Sequence, residues 1–174
     1  MGLHVALIEP LIAPNTGNIA RLCAATDTTL HLIEPLGFSV SDADVKRAGL
    51  DYWDAVELWV HPGWPAFRQA ITAERCLYFS AHATRSFWEA PYRERSVLVF
   101  GNETVGLPQR IREKHAYRMF RIPMTDAVRS LNLATAVGIV VYEALHQLGT
   151  ISHLAGPPGE RVPDAREDHS SRRG

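Results

Sequence analysis

Three segments of the chain combine glycine or proline with polar side chains that could do chemistry. The first is EPLIAPNTGNIARL, residues 9–22. Gly17 would allow a tight turn into a helix here, and polar side chains surround that turn at Asn15, Asn18 and Arg21. Because the start of a helix presents unpaired N–H groups and partial positive charge, the segment would suit an anion such as a phosphate. Taken alone, Arg21 is more typical of a solvated surface charge.

The second segment, VLVFGNETVGLP, covers residues 97–108 and begins with an apolar run. Gly101 and Gly106 would let the backbone come close to a ligand, because glycine has no side chain in the way. Glu103 stands between them, and two interpretations of it remain open. It is either a catalytic carboxylate or an acceptor that caps neighbouring amides.

The third segment is RIPMTDAVRSLNLATA, residues 121–136. Ser130 lies where we expect the N-cap of a helix that runs from about residue 130 to residue 148. That helix start explains Asn132 poorly, because asparagine prefers caps and turns to the early interior of a helix. Asn132 is therefore a candidate for binding something.

The elements that would position these segments follow from the apolar pattern. Short apolar runs bounded by proline, glycine or polar residues are typical of buried parallel strands. Helical patterns lie between them, so the chain predicts an α/β fold with a mostly parallel sheet and flanking helices, and ligands bound beyond the carboxyl ends of its strands. The predicted strands are residues 5–8, 30–33, 76–80 and 97–100, with weaker candidates at 56–60 and 117–122.

The predicted last helix has a wide apolar band, and Gly149 can terminate the helix. Such a band can be buried either inside its own domain or against a second copy of the chain. Two other helices are expected to carry Pro65 and Pro108 in their first turns. A further helix is expected after Ser41, which starts a variant of the capping box.

Composition narrows the class of protein. The 174 residues carry a net charge of -1, which makes no global case for a nucleic-acid partner, although eighteen Lys and Arg could gather on one face. Cys23 and Cys76 form no CxxC pair, so we expect reduced core thiols and neither a disulfide nor a metal site. No apolar run could cross a membrane and no signal peptide is evident, so we expect a cytoplasmic protein.

Residues 151–174 are rich in proline, glycine and charge and predict a disordered tail after a single domain at 1–150. The chain has neither GxGxxG nor GxxxxGK[ST], so nothing indicates a nucleotide loop of those types.

Taken together, PNTGNIARL, FGNETVGLP and RIPMTDAVRSLNLATAVGIVVYEAL resemble the three motifs of the SpoU group of SPOUT RNA 2′-O-methyltransferases. Their order and spacing are most similar to the tRNA (cytidine/uridine) wobble-position 2′-O-methyltransferases. The resemblance covers about residues 5–148. It implies a deep C-terminal trefoil knot with S-adenosyl-methionine bound in the knot loops. It also implies a homodimer, formed through the C-terminal helix and the knot region, that acts on the anticodon stem-loop of tRNA without a metal.

The resemblance also assigns roles by motif. Arg21 matches the catalytic arginine, and Asn15 matches the residue that orients it. Glu103 matches the motif-two glutamate, while Ser130 and Asn132 match a pair near the methionine end of the cofactor and the reacting ribose. In the resembling enzymes, the motif-one segment of one subunit faces the cofactor of the other. The residues expected to cradle the cofactor with their backbone are Phe79, Gly101, Ile122, Ser130 and Leu131.

Some residues depart from the family pattern. Asn102 stands where the wobble subgroup often has proline, and TDAVRS replaces a turn that commonly contains Pro, Asp and Ser. These departures leave the reaction class intact but bear on which tRNA and which nucleotide are modified, so methylation at another tRNA or rRNA site stays open. The alternative from a different class is an inactive knotted RNA-binding protein. Arg21 is better interpreted as an orienting cation than as a general base, because the pKa of a guanidinium lies above about 12.

Further residues attract attention without belonging to a motif. Lys46 and Arg47 are local candidates for a phosphate-binding patch. Tyr142 is expected to pack in the dimer, with a contact to substrate as the alternative. The four tryptophans, which are expected in the core or an interface rather than stacked on bases, are Trp53, Trp59, Trp64 and Trp88.

Overall fold

The protein is an α/β fold built on a parallel seven-stranded sheet, and the computed structural model describes residues 2–40 and 55–151. The strand order is β3-β2-β1-β6-β4-β7-β5, and every hydrogen-bonded pair of strands in it is parallel. This confirms the predicted α/β class with a mostly parallel sheet. The strands are β1 (His4–Ile8), β2 (Thr29–Ile33), β3 (Leu58–His61), β4 (Cys76–Phe79), β5 (Arg85–Ser86), β6 (Val97–Phe100) and β7 (Met119–Arg121).

All six predicted strands are present. The sequence missed β5, because two residues are too few to show any periodicity. The helices of the described residues are α1 (Ala13–Ala25), α2 (Trp64–Ala70), α3 (Gln109–Lys114) and α4 (Leu133–Gln147), and short 3₁₀ turns lie at Ala73–Arg75, Phe87–Glu89 and Ala116–Arg118.

The sheet is buried on both faces, which explains why its strands are continuous apolar runs. Alternate side chains of a strand point to opposite faces. In β1, Val5 and Leu7 join a core cluster with α1 and α4, whereas Ala6 and Ile8 join a second cluster with α2 and α3. The helices therefore form a layer on each side of the sheet, and α1 packs directly on α4.

The helix starts correct two predictions. Helix α1 begins at Ala13, with Pro14 in its first turn, so Asn15, Gly17 and Asn18 are helical rather than part of a turn. Proline suits this position because the first amides of a helix have no partner within it. The buried Gly17 lies inside the helix and makes no turn.

Helix α4 begins at Leu133, and its N-cap is Asn132 rather than the predicted Ser130. Asn132 Oδ1 accepts a hydrogen bond from Thr135 N at 3.2 Å. At the other end Gly149 has a φ of +68°, which favours glycine, so the predicted termination is confirmed. Pro65 lies in the first turn of its helix as predicted, whereas Pro108 is the N-cap of its helix.

Both cysteines are buried free thiols, as predicted, and burial raises the pKa of Cys23 to about 12. Trp64 is partly buried and stacks on Phe67 at 5.2 Å between ring centroids. Trp59 and Trp88 are 54% and 60% exposed, so they are not core residues, and the interface part of the prediction stays a prediction. Trp59 is exposed because it lies on the edge strand β3.

Some predictions fall outside the described residues: the helix after Ser41, the Lys46 and Arg47 patch, Trp53, and the tail from residue 152. Within the described residues, no helix combines the length and the hydropathy that crossing a membrane requires.

Three histidines form a hydrogen-bonded row across β1, β2 and β3. His4 Nδ1 lies 2.9 Å from His31 Nε2, and His31 Nδ1 lies 3.0 Å from His61 Nε2. Burial lowers the pKa of His31 to about 3. It lowers the pKa of His4 to about 4, with Arg75 adding to the shift and Glu57 opposing it. The imidazoles of this row are therefore neutral at neutral pH.

Acid should weaken the fold through this row. The stability that a neutral His31 contributes is complete above the unfolded-state pKa of about 6.5 and is lost as the pH falls below it, because the unfolded chain then binds more protons. We expect the free energy of unfolding to fall by about 1–2 kcal/mol from this residue between pH 7.5 and pH 5. Urea denaturation at both pH values measures this. His31→Gln should flatten the dependence, whereas His146→Gln, at an exposed position of α4, should leave it; equal slopes in all three proteins would contradict the assignment.

Candidate active site

A cavity of about 670 Å³ lies beyond the carboxyl ends of the central strands. Its walls come from the chain after β4, after β6 and after β7, and from the starts of α1 and α4. The volume falls in the range of small-molecule sites. The cavity brings together most of the predicted site residues, namely Asn15, Phe79, Gly101, Glu103, Ile122, Ser130, Leu131 and Asn132.

Glu103 binds the start of α1. Its Oε2 accepts a hydrogen bond from Leu11 N at 2.9 Å, and its Oε1 accepts one from Ile12 N at 3.2 Å and one from Asn15 Nδ2 at 3.1 Å. The N-cap residue of α1, Ile12, offers no side-chain acceptor, so this carboxylate takes that role from a distant segment. The anion that suits this helix start is thus supplied by the protein, and of the two interpretations of Glu103 the geometry supports the cap.

Asn15 and Asn132 extend this contact to the start of α4. Asn132 Nδ2 donates to Asn15 Oδ1 at 3.0 Å, while Asn132 Oδ1 caps its own helix. Asn15 is only 8% exposed, so both polar ends of its side chain need partners, and both have one. A continuous chain of hydrogen bonds therefore joins the three motif segments through Glu103, Asn15 and Asn132.

The turn after β6 is held by its own backbone and by Asn102. A methyl group added to Gly101 would lie 1.9 Å from the carbonyl carbon of Gly106, so only glycine fits there. The close approach that glycine permits is to this turn rather than to a ligand. Asn102 Oδ1 accepts from Thr104 N at 3.1 Å and from Val105 N at 2.8 Å. Asn102, which stands where the subgroup often has proline, thus closes the turn through its side chain.

Ser130 is exposed at the cavity, and within the described residues its hydroxyl has no hydrogen-bond partner. It is available to a ligand. Phe79 and Phe100 form part of an apolar wall, with ring centroids 5.1 Å apart. The site therefore combines a rigid apolar side with a polar side whose hydrogen-bonding groups are only partly used.

Arg21 is the one predicted site residue, all of them described, that does not line this cavity. It is exposed on α1, six residues after Asn15. At about 3.6 residues per turn the two side chains point in different directions. One chain by itself does not bring Arg21 to the other site residues.

Sequence reasoning did not single out several residues that line the cavity. Ser80 and His82 follow β4, and Met124 follows β7. The rule that ligands bind beyond carboxyl ends of strands could have indicated them. Ile12 and Arg129 also line the cavity and lie within quoted motif segments. Among the described residues, no group of three or more His, Cys, Asp or Glu is arranged to hold a metal ion.

The profile of the SpoU rRNA methylase family matches residues 2–142. The chain belongs to the SpoU family. A Saccharophagus degradans member named tRNA (cytidine(34)-2′-O)-methyltransferase is 46% identical over 147 residues, which are 84% of this chain and 96% of that protein.

Solved structures agree with this membership. A structure described as giving insights into the 2-OH methylation of C/U34 on tRNA matches with a TM-score of 0.76 and 46% identity, over 84% of this chain and 96% of that one. The AdoMet-bound rRNA methyltransferase of Sinorhizobium meliloti matches with a TM-score of 0.76 and 25% identity, over 84% of this chain and 57% of that one. The parallel sheet with helices on both faces is thus the SpoU architecture.

Proposed function

We propose that this SpoU protein is an S-adenosyl-methionine-dependent tRNA ribose 2′-O-methyltransferase that acts on the wobble nucleotide, a cytidine or modified uridine. The observation that carries the proposal is the cavity where the three motif segments meet, joined by the hydrogen bonds from Glu103 to Asn132. The relative that acts at this nucleotide in tRNA shares 46% identity with nearly its whole length covered. A tRNA substrate also agrees with the cytoplasmic location expected from the sequence.

The residues of the cavity fit S-adenosyl-methionine. Its volume and its mixture of aromatic wall and unused polar groups suit a ligand with an adenosine part and an amino-acid part. The backbone of Phe79, Gly101, Ile122, Ser130 and Leu131 would hold the cofactor. When bound, this cofactor supplies a methyl group on a sulfonium, which is an electrophile.

The chain's own part in the reaction is mainly to orient. Methyl transfer to a ribose oxygen is an in-line displacement, so alignment of the reacting atoms supplies much of the rate. Ser130 and Asn132 would position the ribose, and the bond from Asn132 to Asn15 keeps that wall in place. Arg21 would stabilise developing negative charge on the 2′-oxygen, because an arginine remains a cation at neutral pH.

A homodimer through α4 and the knot region would bring Arg21 of one subunit to the cavity of the other. Arg21 lies outside the cavity of its own chain, so a second subunit is the natural source. Ile139 and Tyr142, three residues apart on α4, are 37% and 48% exposed, and such apolar side chains suit an interface.

The trefoil knot and the single domain at 1–150 also belong to this proposal. Strand β7 lies between β4 and β5 in the sheet. From the end of β7 the chain must return across the cavity to reach α4, which packs on α1. On that path it lines the same cavity as the segments after β4 and β6, which would form the loop it passes through.

Labelled S-adenosyl-methionine tests the function. The purified protein is incubated with total tRNA from a strain that lacks the gene, and the methylated ribose is mapped by mass spectrometry. Label at the 2′-oxygen of the wobble nucleotide is the expected result. Label at another tRNA position, or only in rRNA supplied separately, would identify a different site. Cofactor binding with no label in any RNA would favour an inactive RNA-binding protein.

A further inference from the structure

Arg129 lines the cavity directly before Ser130, and the proposed reaction does not yet use it. Its side chain is exposed, and within the described residues it makes no hydrogen bond and no ion pair. It is held near a fixed point of the site, because Asn132, three residues on, is bonded both to Asn15 and to the start of α4.

The charge of the cavity makes this guanidinium significant. Among the described residues that line the cavity, Glu103 and Arg129 are the two with formal charges. His82 also lines the cavity and adds a titratable imidazole. Both carboxylate oxygens of Glu103 already accept hydrogen bonds from the start of α1. The guanidinium of Arg129 is therefore the charged group that is available to a ligand. As a cation with N–H donors, it would bind a negatively charged oxygen group.

The substrate of the proposed reaction carries an oxyanion in a suitable place. In RNA the 2′-oxygen and the 3′-phosphate are attached to adjacent carbons of one ribose, so a 2′-oxygen that enters the cavity brings its 3′-phosphate to the rim. Arginine binds phosphate through two parallel N–H donors, which fixes orientation as well as position. The 2′-oxygen itself is the proposed partner of Arg21, so the phosphate is the RNA oxyanion that remains for Arg129.

We propose that Arg129 is a positioning residue that binds the phosphate on the 3′ side of the methylated ribose. The inference rests on the proposed function and adds to it the contact that orients the RNA backbone. Arg21 from the other subunit and Arg129 from the same subunit would then divide the work, the first at the 2′-oxygen and the second at the phosphate.

The test uses Arg129→Gln and an anticodon stem-loop RNA that carries either a normal or an uncharged methylphosphonate linkage 3′ to the methylated nucleotide. Arg110→Gln is the matched control, because Arg110 is an exposed cation on α3 outside the cavity lining. We expect Arg129→Gln to lower kcat/KM roughly tenfold to a hundredfold, mainly through KM, as a charged hydrogen bond present before and during reaction should. The control should stay within about twofold of the unsubstituted protein.

The modified RNA separates this contact from others. The uncharged linkage should cost the unsubstituted protein about as much as Arg129→Gln does, and should cost the variant little more, since both remove one contact. Full sensitivity of the variant to the uncharged linkage would overturn the proposal, as another residue would then hold the phosphate.

Calorimetry with S-adenosyl-homocysteine completes the test. Its Kd should be the same for the variant and the unsubstituted protein. A loss confined to this Kd, with KM for RNA unchanged, would assign Arg129 to the cofactor's carboxylate and overturn the proposal. Failure of the proposed function looks different: the unsubstituted protein would bind S-adenosyl-homocysteine and methylate neither RNA.

Discussion

Arg21→Ala is expected to lower the methylation rate by a factor of about 10²–10³ while cofactor binding in the cavity is kept. A loss of this size is typical when a group that stabilises developing oxyanion charge is removed. The cofactor should still bind, because the proposed contact of Arg21 is with the 2′-oxygen of the RNA and not with the cofactor. Single-turnover methylation and calorimetry with S-adenosyl-homocysteine measure the two effects separately.

Mixed dimers show which subunit supplies Arg21. One subunit carries Arg21→Ala and the other carries Asn132→Ala, and differently tagged copies are co-expressed and purified by both tags. If the arginine crosses between subunits, one of the two sites in each mixed dimer is intact, so about half of the normal rate returns. Each variant alone should keep only its own low residual rate. No recovery in mixed dimers would mean that Arg21 acts in its own chain.

Arg21→Lys defines the chemistry further. Lysine keeps the charge and loses the forked donors, so an orienting guanidinium predicts a clear loss of rate. Near-normal single-turnover methylation by this variant would contradict both the forked-donor role and a base role.

Glu103→Gln is expected to lower the free energy of unfolding by about 2 kcal/mol and to weaken cofactor binding. The carboxylate accepts three hydrogen bonds through its two oxygens. A glutamine keeps only one of these acceptors and would present an NH₂ group either to Leu11 N or to Ile12 N and Asn15 Nδ2. Urea denaturation and calorimetry measure the two effects. The matched control is Glu113→Gln, which changes an exposed carboxylate on α3 that is bonded to Gln109.

A double-mutant cycle separates an anchoring glutamate from a catalytic one. If Glu103 acts by holding Asn15, then Glu103→Gln and Asn15→Ala should each destabilise the fold, and together they should cost less than the sum. A variant of Glu103 with unchanged stability and cofactor affinity but a much lower kcat would instead show a role in the chemistry itself.

Departures from prediction concentrate where distant segments touch. The boundary of α1 was misplaced because Gly17 suggested a turn, whereas burial against the rest of the fold keeps it helical. Asparagine is out of place inside a helix, and the structure shows that Asn132 stands before one. The preference of asparagine for helix caps was therefore informative at Asn132, and only the predicted start of α4 was wrong.

Local sequence patterns are enough to predict the class of fold, six of the seven strands and the segments that meet at the cavity. These features are local: apolar runs, turn residues and motif spacing are all present within short stretches of the chain. The sequence also raised the two interpretations of Glu103 without deciding between them.

The hydrogen bonds between residues of different segments depend on the tertiary structure. The bond from Asn15 to Glu103 joins residues 88 positions apart, and the bond from Asn15 to Asn132 joins residues 117 positions apart. No local pattern encodes such contacts, because they depend on the order in which the strands line up and bring their carboxyl ends together. The same geometry leaves Arg21 outside the cavity and Arg129 within it.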